Sequence, residues 1–376
     1  LQPENGEIAI IHGDCIEDAE QLAQMLRQAY AGVPLSRPAL SQPPARMQGL
    51  ARLQSFSGER NAKMALRIKS KKMEGKSMAD DANLTKVNDF VILTESTCDM
   101  PQEMADALGI AILPIRVMVE EREYAHYLDG RELGFHDFYE KLRAGISAKT
   151  AAANTEEFIA QVEPALAAGR DVLYLGFSSA LSGTFGVGAM AAEQLKEKYP
   201  ERKIYAVDTL CASFGQGLFV YLAAQQKLQG KDIDAVKAYV EEIRPQLCHW
   251  FTVDDLQHLK RGGRVSAAAA AFGTMLNIKP ILHVDDEGRL IPVSKVQGRL
   301  ASIKMLAKKM QETAINPKEQ VVFISHGDCE KDAQKLASII RETIGAKEII
   351  INPIGPIIGA HSGPGTVALF FLGTKR

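Results

Sequence analysis

From Asp89 onward, short apolar runs alternate with stretches of helical spacing. Residues 90–93, 171–176 and 203–207 read as buried strands, each closed by a polar turn. Pro101 opens a helix that runs to about Leu108, with an acid in its first turn. Residues 110–119 read as one strand and 120–127 as the hairpin or loop that follows it. Helical patterns occupy 135–142 and 156–168, and a longer one starts at Ser182. Strand and helix in alternation predict an α/β fold: a mostly parallel sheet flanked by helices.

A second unit begins near Cys248. Residues 250–253 suit a strand and 254–260 a helix, ended by Arg261-Gly262-Gly263-Arg264. The nearly charge-free stretch 265–276 suits a helix packed at a domain contact or lining an apolar channel. Strands at 278–284 and 290–293 bracket the turn Asp285-Asp286-Glu287-Gly288, and helices at 300–313 and 331–344 alternate with strands at 321–325 and 348–352. Residues 355–365 read as a glycine-rich connection to a last strand, 367–372. The expected division is a first α/β lobe at 86–247 and a smaller second α/β lobe at 248–376.

Residues 1–85 follow a different pattern. Ile10-Ile11-His12-Gly13-Asp14-Cys15 echoes Ile324-Ser325-His326-Gly327-Asp328-Cys329, and the likeness fades after about Arg27. A Pro-, Arg- and Ser-rich stretch and the basic Lys69-Ser70-Lys71-Lys72 come next, which predicts a partial repeat followed by a low-order extension. The expectation is that Met78 opens the folded protein and that function survives loss of what precedes it.

Composition narrows the classes. A net charge of -2 gives no electrostatic case for nucleic acid, and the basic stretch lacks interleaved aromatics. Five cysteines without CxxC spacing and eight histidines without HExxH argue against zinc or a disulfide framework, and a reducing cytoplasm fits them best. No apolar run approaches the roughly 20 residues of a membrane span, so any membrane contact is expected to be transient. Neither metal nor cofactor is expected.

Chemistry concentrates at Gly176-Phe177-Ser178-Ser179-Ala180-Leu181-Ser182-Gly183-Thr184, a strand-to-helix turn, read together with His361-Ser362-Gly363-Pro364-Gly365. Unpaired N–H groups and the positive end of a helix dipole suit an anion there, and Ser or Thr adds donors without charge. Equally, Ser182 could simply cap the helix. Glu95-Ser96-Thr97, Ser178-Ser179 and Asp208-Thr209 each follow an apolar strand, which places three hydroxyl-bearing turns along one sheet edge. Arg264, just past its glycine pair, can reach an anion. A serine hydrolase using this loop and His361 would lack a GxSxG elbow and an acid to orient the histidine. A nucleotide site built on Gly183, Gly186 and Gly188, or on Gly215 and Gly217, would lack a P-loop lysine, and helix packing accounts for the glycines equally well.

In combination the motifs resemble the DegV family, fatty-acid-binding proteins that include the lipid-binding subunit of bacterial fatty acid kinase. The likeness rests on residues 94–101, Ser178 to Thr184, Asp208-Thr209 with 212–217, 259–264, 277–282 and 359–365, in order, and spans about residues 88 to 373. It implies an acyl chain held between two lobes and a carboxylate gripped by Thr150, a serine among Ser178, Ser179 and Ser182, Gly183 and His361. Arg264 would stand near the head group, with Ser96, Thr97 and Gly363 in support. A separate kinase subunit would then phosphorylate the bound acid; a purely lipid-responsive regulatory protein would need the same pocket. Two departures from the family pattern stand out. Thr150-Ala151-Ala152-Ala153 keeps one hydroxyl where the family has two, and Glu95 replaces an aspartate.

Overall fold

Strand β1 (Phe90–Glu95) runs at the centre of a four-stranded parallel sheet ordered β2-β1-β6-β7, where β2 is Ile110–Leu113, β6 is Asp171–Gly176 and β7 is Ile204–Asp208. The computed structural model describes residues 89–266 and 277–376, all within one compact unit. The expected extension at 1–85 and nearly all of the apolar stretch 265–276 lie outside the described residues.

The stretch 110–119 is two strands, not one. Pro114 separates β2 from β3 (Ile115–Val119), which leaves the parallel sheet and pairs antiparallel with β4 (Arg122–His126) and β5 (Ala148–Ala151). A proline has no N–H to continue the ladder, so the change of sheet falls there. Strand β5 carries Thr150 and was not expected from so short an Ala-rich segment.

A six-stranded sheet, ordered β10-β9-β8-β13-β11-β12, comprises β8 (Leu247–Thr252), β9 (Ile278–Val284), β10 (Leu290–Gln297), β11 (Val321–His326), β12 (Glu348–Pro353) and β13 (Val367–Leu372). Only its β11–β12 pair is parallel. The parallel reading, made for the first lobe, holds for the first sheet, and the α/β layer expected after Cys248 is built on this mostly antiparallel one.

Helices α1 (Gln102–Leu108), α2 (Phe135–Arg143), α3 (Thr155–Ala167) and α4 (Thr184–Lys198) belong to the first part of the chain. Asn154 and Glu157 form a reciprocal capping box that fixes the start of α3. Helix α5 (Phe214–Leu228) is buried along most of its length, as a helix with apolar residues all round must be. Its Phe214 ring lies 4.1 Å from that of Phe323 in the six-stranded sheet, while Gly217 packs on the Cys98 carbonyl beside the parallel one. One core thus joins both sheets through α5. Helix α6 (Ile233–Ile243) is capped by Asp232 and α7 (Gln257–Arg261) is short. Helices α8 (Arg299–Thr313) and α9 (Glu330–Thr343) cover the other face of the six-stranded sheet.

The glycine-rich connection contains a helix, α10 (Pro356–Ser362), with Pro356 at its first position. Among the described residues no helix is long and apolar enough to cross a membrane.

Candidate functional site

The carboxyl ends of β1, β6 and β7 share one edge, as the alternation predicted, but most of their hydroxyls tie the turns together. Ser96 Oγ accepts from the Ile115 N–H (3.0 Å), and Thr209 Oγ1 donates to the Gly176 carbonyl (2.7 Å). Ser178 is fully buried and donates to the Gly288 carbonyl (2.9 Å). Ser179 is exposed, and only its backbone N–H is engaged, with Asp208 (3.3 Å). None of these four side chains lines the cavity described next.

That cavity lies among the parallel sheet, β5, α5, α10 and the six-stranded sheet. Its volume is about 200 Å³. Its apolar wall includes Phe177, Leu181, Phe251, Leu290, Ile357 and Phe370. Polar groups gather where β5, the turn before α4, the end of α7 and α10 meet: Thr150, Ser182, Thr184, Arg264, His361 and Ser362. Gly183 lines the same region as the residue before α4.

Within this cluster Thr150 Oγ1 and His361 Nε2 lie 2.9 Å apart. The imidazole packs so tightly on Gly262 that a Cβ there would come within 2.3 Å of Nδ1. Among the described residues Nδ1 is buried without a hydrogen-bond partner, as is Ser362 Oγ. An orphaned acceptor costs less than an orphaned N–H, which favours the tautomer with Nε2–H donating to Thr150 and leaves the Thr150 hydrogen free for a ligand. Burial, reinforced by the Arg264 charge, pushes the His361 pKa down to about 4, so the ring is neutral near pH 7.

Arg264 donates to the carbonyls of Leu181 (3.1 Å) and Gly262, which fastens the end of α7 to the Ser178–Ser182 loop. Burial lowers its pKa. Among the described residues no carboxylate pairs with it, so the cluster holds a partly buried cation without a counter-ion. Ser182 Oγ lies 3.0 Å from Thr184 Oγ1 and accepts from the Thr184 N–H (3.2 Å).

A second polar set supports the wall from behind. Thr97, which lines the cavity, donates to Gln216 Oε1 (2.8 Å). Gln216 Nε2 donates to Thr94 Oγ1 (2.8 Å) and to Glu95 Oε2 (2.5 Å). Glu95 also accepts from the Tyr174 hydroxyl and the Phe177 N–H (3.1 Å), and burial raises its pKa despite these bonds.

The structure thus brings Thr150, Ser182, Gly183, Arg264, His361 and Thr97 to one cavity and directs Ser178, Ser179 and Ser96 elsewhere. Gly363 lies at the end of α10 with φ 79°, where a Cβ would strike His258, and it is not on the lining. Gly215 and Gly217 serve packing, since a Cβ at 215 would lie 2.2 Å from His249. His361 pairs with a threonine rather than with a loop serine. Ser362 and Thr184 are additional lining groups; both stand inside recognisable motifs, but only the α10 and α4 geometry turns them inward.

The model of the DegV family, described as "Uncharacterised protein, DegV family", matches residues 89–374. A DegV domain-containing protein of Clostridium perfringens is 48% identical over 287 residues, which cover 76% of this chain and 98% of that protein. Another from Streptococcus pyogenes is 34% identical over 284 residues, with coverage of 76% and 98%. Among solved structures, a DegV family protein from Thermus thermophilus, described for its fatty acid binding, aligns with a TM-score of 0.69 at 29% identity. It covers 76% of this chain and 99% of its own. DegV of Bacillus subtilis, described as a fatty acid binding protein, aligns with a TM-score of 0.66 at 27% identity, covering 76% and 99%.

Proposed function

The chain belongs to the DegV family, and on that premise we propose that its cavity holds a long-chain fatty acid and presents the carboxylate to a separate kinase subunit. The observation that carries this reading is the pairing of a long apolar wall with an uncompensated Arg264 and the neutral Thr150–His361 pair. At about 10–15 Å³ for each water-sized group, the cavity has room for roughly a dozen or more of them, the bulk of a long acyl tail. Each buried methylene contributes about 0.8 kcal/mol, which favours long chains over short ones.

In this reading Thr150 donates to the carboxylate, His361 orients Thr150, and Arg264 supplies the compensating charge. Ser182 and the amides at Gly183 and the start of α4 add donors without adding charge. In this reading the described parts of 86–247 and of 248–376 act as the two lobes that enclose the tail. Neutral donors also suit an acyl phosphate once the kinase has acted. The cytoplasm, where such a kinase finds ATP, is the proposed location.

Native mass spectrometry of the protein purified from bacteria should show one long-chain fatty acid, released on denaturation. An apo mass together with no uptake of added palmitate would reject the reading. Mixing the loaded protein with the kinase subunit and ATP should yield acyl phosphate. Binding without product would leave a lipid-responsive regulatory protein instead.

A further inference from the structure

Asp99 does not line the cavity, yet it joins the two walls that do. Its Oδ1 accepts from the Gly355 N–H (2.9 Å), at the turn that launches α10 with His361 and Ser362. Its Oδ2 accepts from Ser213 Oγ (2.6 Å), a cavity-lining group at the start of α5, and its carbonyl accepts from Asn352 Nδ2 (2.8 Å) in β12. Ser213 Oγ also lies 3.1 Å from Ser325 Oγ of β11.

Both ends of the Asp99–Ser213 bond sit in left-handed backbone, with φ 49° at Asp99 and 54° at Ser213. Such conformations are strained in non-glycine residues and persist only where surroundings hold them. The contact is also sterically closed. A Cβ at 355 would lie 2.3 Å from His126 Cε1 and 2.9 Å from Asp99 Oδ1, so the amide can approach only because residue 355 is glycine.

We propose that Asp99 is a positioning residue for the head end of the cavity: its carboxyl sets the seat of α10, hence of His361, and the direction in which Ser213 points its hydrogen. An ionised carboxyl draws the Ser213 hydrogen inward. A neutral one donates its own proton to Ser213, whose hydrogen then turns to Ser325 or to the cavity.

Burial pushes the Asp99 pKa up to about 8, against hydrogen bonds from Ser213 and Gly355 that lower it. The titratable groups facing it are Cys98 just past β1, Tyr139 of α2 and His126 of β4. Burial holds His126 at about 3 and raises Cys98 and Tyr139 well above their ordinary values, so those three do not change charge near neutrality. Raising the pH through about 8 ionises Asp99, which adds a negative charge behind the cavity wall and withdraws the Ser213 hydrogen from the cavity. Both changes weaken the hold on an anion.

The experiment has two arms on the full chain. In the first, which needs no ligand, hydrogen exchange of the 355–362 amides is compared among variants. Asp99→Ala should speed it about tenfold, whereas Asp99→Asn, with an acceptor for Gly355 and a donor for Ser213, should restore the protection. In the second, which rests on the fatty-acid reading, palmitate affinity is followed from pH 7 to 9. The wild type should weaken about three- to tenfold across that range, and Asp99→Asn should lose the step. Ser213→Ala should shrink the step and leave the 355–362 exchange near wild type. Should Asp99→Ala fail to fold, Asp99→Asn and Ser213→Ala still decide the pH arm. Unchanged 355–362 exchange in a folded Asp99→Ala, or the same pH step in Asp99→Asn, would overturn the proposal. If the wild type binds no palmitate, the fatty-acid reading fails and the exchange arm alone decides the role of Asp99.

Discussion

Glu95 lies behind one wall of the cavity with donors on both carboxyl oxygens, whereas His361 and Ser362, on another wall, each keep a buried polar atom without a partner. Both regions are polar, the first fully buried and the second partly so. They differ in what completes them. Tyr174, Phe177 and Gln216 satisfy Glu95 from within the chain, and Gln216 passes the constraint on to Thr97. Among the described residues, the side chains of Thr150, His361, Ser362 and Arg264 find only the Thr150–His361 pair and two backbone carbonyls. A closed network rigidifies, and an open one is poised for a ligand that brings acceptors and a negative charge.

The sharpest way to break this comparison is to open the closed network. Glu95→Ala would leave a phenol, an amide N–H and a carboxamide donor unpaired in the core. The expected loss is about 3–5 kcal/mol of stability, a fall in Tm of roughly 6 °C or more. Thermal unfolding of the variant checks this. A change below about 1 kcal/mol would mean that water reaches the site and that the network is not closed.

His361→Ala acts on the open region and should show the reverse balance. Palmitate affinity is expected to fall by about 10- to 100-fold, or 1.4–2.8 kcal/mol, while Tm at pH 7 shifts little because an unsatisfied buried atom leaves with the ring. The depressed pKa adds a pH signature. Stability tied to neutral His361 is fully present above its ordinary value of 6.5 and is lost as pH falls through about 4, since the unfolded ring takes up its proton first. Wild type should therefore lose stability relative to His361→Ala on acidification, so that two proteins nearly equal at pH 7 diverge towards pH 4. A variant that unfolds instead, or binds palmitate as well as wild type, would merge the two regions into one structural network.

The closed region was partly legible in the sequence and the open one less so. Strands β1, β6 and β7 announce themselves as apolar runs, and their shared edge follows from parallel pairing, so Thr97 and the loop before α4 could be placed in advance. What periodicity could not show is how each hydroxyl is spent. Ser178 and Ser182 look alike along the chain, yet one bonds Gly288, 110 residues away, and the other turns to the cavity. Strand β5 has alanines where a strand pattern would show β-branched residues, and α10 is masked by the glycines that let it pack on Tyr139 and end at Gly363. Thr150 and His361 reached the site through resemblance, because their 2.9 Å approach joins two elements that local pattern did not reveal.

The smallest expected effect tests the border of the open region. Ser179 is exposed, its hydroxyl has no recorded partner among the described residues, and its backbone N–H holds Asp208 whatever side chain it carries. Ser179→Ala should therefore leave stability within about 0.5 kcal/mol and palmitate affinity within about twofold. Ser182→Ala, three residues closer to α4, removes a lining hydroxyl that also accepts from the Thr184 N–H, and should weaken binding by at least about threefold. Side-by-side titration of the two variants measures the difference. If Ser179→Ala proves the more damaging, the head group is held by the outer loop, and the unpaired atoms of His361 and Ser362 mark a packing defect rather than a binding site.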